Sequence, residues 1–355
     1  MNVKVIGAGS IGNHLSQAAR RMGWDVTITD LDESALKRMR EDIYPARYGS
    51  WDNSIKQYIS GKEPKGIYDI IVVGTPPDSH IPIALAALKE KPKLILLEKP
   101  LCGPEAVGLK KLAVLAKKQK TVLLVGYDHG VAKSVEFVVS LLRQKVMSDA
   151  LTLDVEFREH WAGIFKAHPW LSGPADSYLA YIKRGGGASG EHSHALHLWQ
   201  YLAREAGLGV WKSMTAVYDM KKDKKIEYDA IASFTFITDK GNIGRVIQDV
   251  VTQPTRKWAR VQGSGGYIEW HCNGDPRGDV VRWKGKNDKE PQQKIFDKKR
   301  PDDFYREMLH IQDILGKKVS SSESPLSIES GVRVIEVLRT AYMRRAKALT
   351  DIGKL

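Results

Sequence analysis

Val3-Lys4-Val5-Ile6-Gly7-Ala8-Gly9-Ser10-Ile11-Gly12 is the stretch whose grammar determines how the chain begins to fold. A β-branched run ends in glycine, and from Ile11 to Met22 apolar residues recur at spacings of three and four, so a strand turns into a helix. The glycines fit G-x-G-x-x-G, and Asp30 follows eighteen residues beyond the last of them. In that context the first glycine permits a tight turn, the second lets the backbone approach a pyrophosphate, and the third lets helix pack on strand. The helix N-terminus adds amide donors and a positive dipole end. Asp30, ending the second strand, can accept from an adenosine ribose and repels a 2′-phosphate, and Asp32 adds negative charge nearby. Gly7, Gly9, Ser10, Ile11, Gly12 and Asp30 are therefore the expected contacts of a dinucleotide. NAD is favoured over NADP, with Arg47 and Lys56 as the cations that could swing toward a 2′-phosphate.

Outward from that stretch, strand-like runs at Val26 to Thr29, Ile70 to Val73, Leu94 to Leu97 and Val122 to Val125 alternate with helical patterns at Leu36 to Arg40, Ile81 to Leu88 and Ala106 to Lys117. The connections are short. This predicts a doubly wound parallel sheet, a Rossmann domain over residues 1–126. Beyond it the pattern changes. A helix from Val131 to Lys145 and a strand from Leu151 to Arg158 precede an irregular segment rich in histidine and aromatic residues, and a further helix follows Gly190. Successive strands from Val210 to Phe296, with reversals at Asp239-Lys240-Gly241-Asn242 and Gly263-Ser264-Gly265-Gly266, predict a large, mostly antiparallel open sheet in a second α/β domain over 127–355. Two terminal helices, Asp302 to Leu315 and Ile328 to Leu349, are expected to pack on one face of it or back on the first domain.

With 355 residues and 42% hydrophobic content the chain can bury two cores, and no apolar run approaches a membrane span. Glycine interrupts the N-terminal apolar run too early for a signal-peptide core, which gives a cytoplasmic expectation. Two cysteines, Cys102 and Cys272, build neither a disulfide framework nor a cysteine-rich zinc site, and are expected to be free thiols. The net charge is +13. Its densest clusters, Lys221-Lys222-Asp223-Lys224-Lys225 and Lys298-Lys299-Arg300, are short and read as solvated turns, and no aromatic-interleaved basic stripe accompanies them, so neither nucleic acid nor a membrane is expected as a partner.

Two segments lie at strand C-termini, the edge of an open parallel sheet where ligands bind. They are Thr75-Pro76-Pro77 with His80, and Glu98-Lys99-Pro100, whose prolines turn the backbone away. Lys99 places an amine where it can donate to a substrate oxygen and stabilise developing negative charge. The densest polar constellation is Arg184-Gly185-Gly186-Gly187-Ala188-Ser189-Gly190-Glu191-His192-Ser193-His194, followed by His197. On a helix Glu191, His194 and His197 share a face, and a carboxylate can fix a histidine's tautomer and raise its basicity. Three ligands three apart on one helix do not converge easily on an ion and H-x-x-x-H is absent, so acid–base work is expected and no metal.

Together the glycine fingerprint, Thr75-Pro76-Pro77 with His80, Glu98-Lys99-Pro100 and Gly126-Tyr127 resemble, in order and position, the glucose-fructose oxidoreductase, inositol dehydrogenase and MocA (Gfo/Idh/MocA) family. The resemblance implies a nicotinamide-dependent oxidation or reduction at a hydroxyl of a sugar, cyclitol or nucleotide sugar. It implies cofactor contacts from Thr75, Pro76, Pro77, His80, Glu98 and Lys99, a cis Lys99–Pro100 bond, and His194 as the catalytic histidine. It also implies a C-terminal open sheet that commonly mediates a homo-oligomer, a dimer or tetramer. The chain departs from the family where Gly190 stands for an aspartate, His197 for an aspartate and Asp128-His129 for Asn-Arg, while Glu191 matches a branch with E-x-S-H. The expected mechanism has His194 take the hydroxyl proton, Glu191 orient it and Lys99 steady the oxygen. Tyr127, His160, Trp161, Tyr178 and His192 are candidate substrate contacts, and Lys166, Lys183 and Arg184 suggest an anionic substrate. A non-catalytic NAD and sugar sensor, and an NAD-dependent glycosidase, are the alternatives.

Overall fold

The structure is a computed structural model that describes residues 1–223 and 225–352. Lys224, in the first lysine cluster, lies outside the described residues. The chain divides into two compact units, Met1–Asp128 with Arg300–Gly331, and the remainder. The division expected from the sequence is a cut at 126, with the two terminal helices packing on the second domain or back on the first.

In the first unit, β1 (Asn2–Ile6), α1 (Ser10–Arg21), β2 (Asp25–Asp30), α2 (Glu33–Arg38), α3 (Tyr44–Tyr48), β3 (Lys56–Ile59), β4 (Ile70–Val73), α4 (Pro77–Ala87), β5 (Leu94–Leu97), α5 (Leu109–Gln119) and β6 (Val122–Val125) follow one another. The six strands pair in the order β3-β2-β1-β4-β5-β6, all parallel. β4 and β5 are buried at every position because helices cover both faces, which is why they read as continuous apolar runs. β3 had no such signal. It is a polar edge strand, Lys-Gln-Tyr-Ile, and it is missing from the expected set. The short helix expected at Leu36 to Arg40 instead passes through a π-helical stretch, Met39–Ile43.

In the second unit, α6 (Lys133–Arg143), β7 (Ala150–Arg158), α7 (Trp161–Ala167), α8 (Gly187–Glu191) and α9 (Ser193–Glu205) precede β8 (Trp211–Asp223), β9 (Ile226–Thr238), β10 (Ile243–Asp249), β11 (Arg256–Gly263), β12 (Tyr267–Asp275), β13 (Gly278–Lys284) and β14 (Gln292–Asp297). Eight strands pair in the order β14-β13-β12-β11-β7-β10-β9-β8. Only the β7–β10 pairing is parallel, so the sheet is mostly antiparallel, as expected. Both expected reversals join adjacent strands, β9 to β10 and β11 to β12. One face of this sheet is apolar, with Leu153, Val155 and Phe157 of β7 beside Phe234 and Phe236 of β9. α9 lies on it: Trp199 stacks on Phe236 at 4.4 Å and donates its indole N–H to the Leu153 carbonyl. The other face carries cross-strand ion pairs such as Arg245 with Asp154.

The lysine clusters are not all solvated turns. Lys221 and Lys222 lie in β8, and the Lys298 ammonium is nearly buried against Asp279 at 3.0 Å. α10 (Arg300–Leu315) belongs to the first unit, where Phe304 stacks on His14 of α1 at 4.6 Å and Arg21 sits over the Tyr305 ring. α11 (Ile328–Ile352) follows. Cys102 and Cys272 are free thiols, the former buried, which pushes its thiol up to about 12. No helix among the described residues is long and apolar enough to cross a membrane.

Candidate active site

The glycine loop between β1 and α1 is set by three different constraints. Gly7 has φ +108°, and a side chain there would press on the Gly74 carbonyl oxygen. A Cβ on Gly12 would overlap the Gly7 carbonyl oxygen. Both glycines are thus demanded by the chain itself. Gly9 is not: its φ is −74°, and a Cβ there meets nothing within 4 Å. The space above Gly9 is open to a group from outside. No side chain caps α1 and no acid stands in its first turn, which suits its N-terminus to an anion.

Asp30 closes this loop. Its Oδ2 accepts from the Ala8 amide at 2.7 Å and its Oδ1 from the Asp32 amide at 2.9 Å, which fixes the carboxylate while leaving further lone pairs. Asp32 caps α2 by accepting from the Ser34 amide and hydroxyl, and these bonds hold its carboxyl below the usual range. Arg47 is already engaged, donating to the Ser10 carbonyl at 2.9 Å and to its hydroxyl at 2.8 Å. Burial lowers its pKa. Lys56 is exposed on β3. These groups and the glycine loop fit a dinucleotide with an unphosphorylated ribose.

At the carboxyl edge of β4 and β5, His80 is wholly buried. One ring nitrogen lies 2.7 Å from the Thr75 carbonyl and the other 3.2 Å from the Leu101 carbonyl. It therefore ties together the loops after β4 and β5, and its enclosed ring makes it a support for those loops. Burial lowers its pKa. Thr75 shares a hydroxyl hydrogen bond with Ser79; Pro76 is exposed and Pro77 starts α4. Glu98 is nearly buried and accepts from the Lys99 amide at 3.2 Å, and the Lys99–Pro100 bond is cis. Gly126 leaves the space the Glu98 carboxylate fills: a Cβ there would stand 2.8 Å from it.

In the second unit, the helix expected through Glu191 and His197 is broken. α8 ends at Glu191, α9 starts at Ser193, and His192 between them has φ −95° and ψ 25°. Glu191, His194 and His197 therefore do not form one continuous helix face. The Tyr178 hydroxyl donates to Glu191 at 3.1 Å. His194 is half-buried, edge-on to His129 with ring centroids 4.8 Å apart. His192 is buried and its carbonyl accepts from Gln248; His197 is buried and stacks on Tyr201.

Several candidate substrate contacts also hold structural positions. Trp161 packs in an apolar cluster with Leu179, Ala188 and Val250, against Phe165 and Tyr228. Tyr127 is completely buried. His160 caps α7, its Nδ1 accepting from the Ala162 amide. Lys166 and Lys183 are exposed, and Arg184 lies over the Tyr181 ring at 5.7 Å. Two residues absent from the expected site stand out. His129 faces His194, and Glu307 is an acid on the core face of α10. Its spacing from Phe304 and Ile311 marks that face in the sequence.

Residues 1–127 match the model of the Gfo/Idh/MocA oxidoreductase family, described as an NAD-binding Rossmann fold. The resemblance read from the sequence holds over that segment. No curated protein matches the sequence. Among solved structures, levoglucosan dehydrogenase in complex with NADH superposes with a TM-score of 0.77 at 16% identity, covering 98% of this chain and 97% of that one. UDP-N-acetylglucosamine 3-dehydrogenase from Acidithiobacillus ferrooxidans gives 0.69 at 14% identity, with 96% of each chain covered. Aldose-aldose oxidoreductase from Caulobacter crescentus, complexed with glycerol, gives 0.73 at 15% identity, with 98% of each covered. At such identities the likeness is one of fold.

Proposed function

We propose that the protein is an NAD-dependent dehydrogenase or reductase acting on a hydroxyl or keto carbon of a sugar, cyclitol or nucleotide sugar. The observation that carries this reading is Gly9: no atom fills the space above it, which leaves room for a pyrophosphate at the anion-receptive start of α1 and beside Asp30. That the superposable enzymes named above act on sugars supports the substrate class. Bound at the glycine loop, NAD supplies the hydride acceptor.

The residues of this chain do the remaining work. Asp30 holds the adenosine ribose and disfavours a 2′-phosphate. His194 takes the proton of the hydroxyl being oxidised, its ring held edge-on by His129. Lys99 donates to a substrate oxygen as charge develops. Glu191, bonded to Tyr178, acts as a support of the His194 segment. His192 is a candidate substrate contact. A cytoplasmic homo-oligomer working on an anionic sugar derivative completes the proposal.

The test is calorimetric titration with NADH and NADPH, followed by a screen of neutral sugars, cyclitols and nucleotide sugars for NAD reduction. NADPH binding as tight as NADH would remove the role of Asp30. Turnover confined to neutral sugars would reject the anionic substrate. A sugar that alters NAD binding with no turnover anywhere in the screen would favour a sensor.

A further inference from the structure

Arg47 stands in α3 and reaches back to the first residue of α1. Two nitrogens of its guanidinium donate to Ser10, one to the carbonyl at 2.9 Å and one to the hydroxyl at 2.8 Å. The segment that delivers it is anchored on α1: Tyr48, the next residue, shares a hydrogen bond with His14, whose ring stacks on Phe304. Tyr44 packs edge-on against Tyr48 at 4.8 Å. Arg47 is half-buried, and among the described residues no carboxylate pairs with it. Burial lowers its pKa; Tyr48 opposes that shift and the Arg300 charge adds to it. A guanidinium keeps its proton regardless. The charge is thus held partly out of water, with a second cation nearby and no counter-ion, a cost that an arriving anion offsets.

Ser10 lies where such an anion is received. It opens α1, it is nearly buried, and it follows Gly9, above which the space is empty. A serine hydroxyl has one proton to give and lone pairs to receive. Arg47 takes up a lone pair, and among the described residues the proton has no acceptor. We propose that Arg47 is a positioning residue for the cofactor, holding the Ser10 hydroxyl as a donor toward the pyrophosphate of NAD and supplying a cation that balances the charge of that group. The glycine loop offers amides and a dipole end, and this chain adds a full charge from the connection between β2 and β3. Arginine suits the task because its rigid fork holds carbonyl and hydroxyl together, which the point charge of a lysine does not. The inference rests on the dinucleotide reading of the loop and is independent of the catalytic residues.

The test is calorimetric titration of the full chain with ADP-ribose, which carries the adenosine and the pyrophosphate and lacks the nicotinamide. Arg47→Met keeps most of the stem and loses the charge, and should weaken ADP-ribose binding about 10- to 100-fold. The dependence of Kd on salt should become shallower. Ser10→Ala should weaken binding on its own and add little to Arg47→Met, because the hydroxyl is then no longer oriented. Gly9→Ala should still weaken binding in the Arg47→Met background, since its methyl obstructs the same path only if the loop keeps its shape. Arg47→Met binding as tight as wild type, an unchanged salt dependence, or an equal Ser10→Ala loss in both backgrounds overturns the proposal. Disappearance of the Gly9→Ala effect also overturns it, by assigning Arg47 to the shape of the loop alone. A wild type that binds neither ADP-ribose nor NADH rejects the dinucleotide reading, and the role of Arg47 falls with it.

Discussion

Gly9 and Gly12 stand three residues apart in one motif and have opposite reasons for being glycine. Gly12→Ala drives a methyl into the Gly7 carbonyl, backbone that cannot yield cheaply, and should destabilise the protein by about 2 kcal/mol or more. Gly9→Ala adds a methyl to open space and should cost less than about 1 kcal/mol, the difference between glycine and alanine as an N-cap. Its effect should fall on NADH affinity, because the methyl occupies the path of the pyrophosphate. Thermal melts and calorimetry on the two variants separate these outcomes, and unchanged NADH affinity in Gly9→Ala would remove the central support for the cofactor site. Asp30→Ala should narrow the preference for NADH over NADPH. It also strips acceptors from the Ala8 and Asp32 amides, so its stability must be followed beside its binding.

At the scale of elements, packing of helix on sheet is written in single small residues. Gly244 of β10 faces the Trp199 indole of α9, and a Cβ there would overlap the ring. Trp199 is buried, stacked on Phe236 and hydrogen-bonded to Leu153, so it has no alternative position and Gly244→Ala should cost about 2 kcal/mol, measurable by denaturant unfolding. On the opposite sheet face, Arg260 of β11 stands directly across from Glu269 of β12. The neighbouring His271 and then Arg260 hold the Glu269 carboxyl down at about 2. Because the folded value lies below the unfolded one, this stability is present above the ordinary carboxylate range and is lost as pH falls toward about 2. Glu269→Gln should flatten that part of the acid limb of the melting temperature; an identical limb in the variant would assign it to other carboxylates. Elements with a strong period were legible in the sequence, and β4 and β5 match residue for residue because full burial leaves an unbroken apolar run. β3 and the break at His192 were not. A polar edge strand has no period to read, and a helix interruption of one residue does not disturb a spacing of three.

At the scale of the molecule, the candidate chemistry was legible wherever a turn residue marked a strand end, as at Gly7, Asp30, Pro76 and Pro100. It was not legible where the decisive property is burial. Tyr127, Trp161 and His80 are residue types that often touch ligands, yet each is enclosed here, while Glu307 is marked as a core position only by its spacing from Phe304 and Ile311. The same distinction governs the comparison of enzyme with sensor, because both keep the glycine loop and only an enzyme needs a base. If His194 is that base, His194→Ala should lower turnover by about 10²- to 10⁴-fold and leave NADH affinity nearly unchanged, since Gly9, Ser10 and Asp30 lie in the other unit. Lys99→Ala should lower turnover as well. Near-normal rates in His194→Ala would move the base to another group, and His129, whose ring stands edge-on to His194, is the first to test.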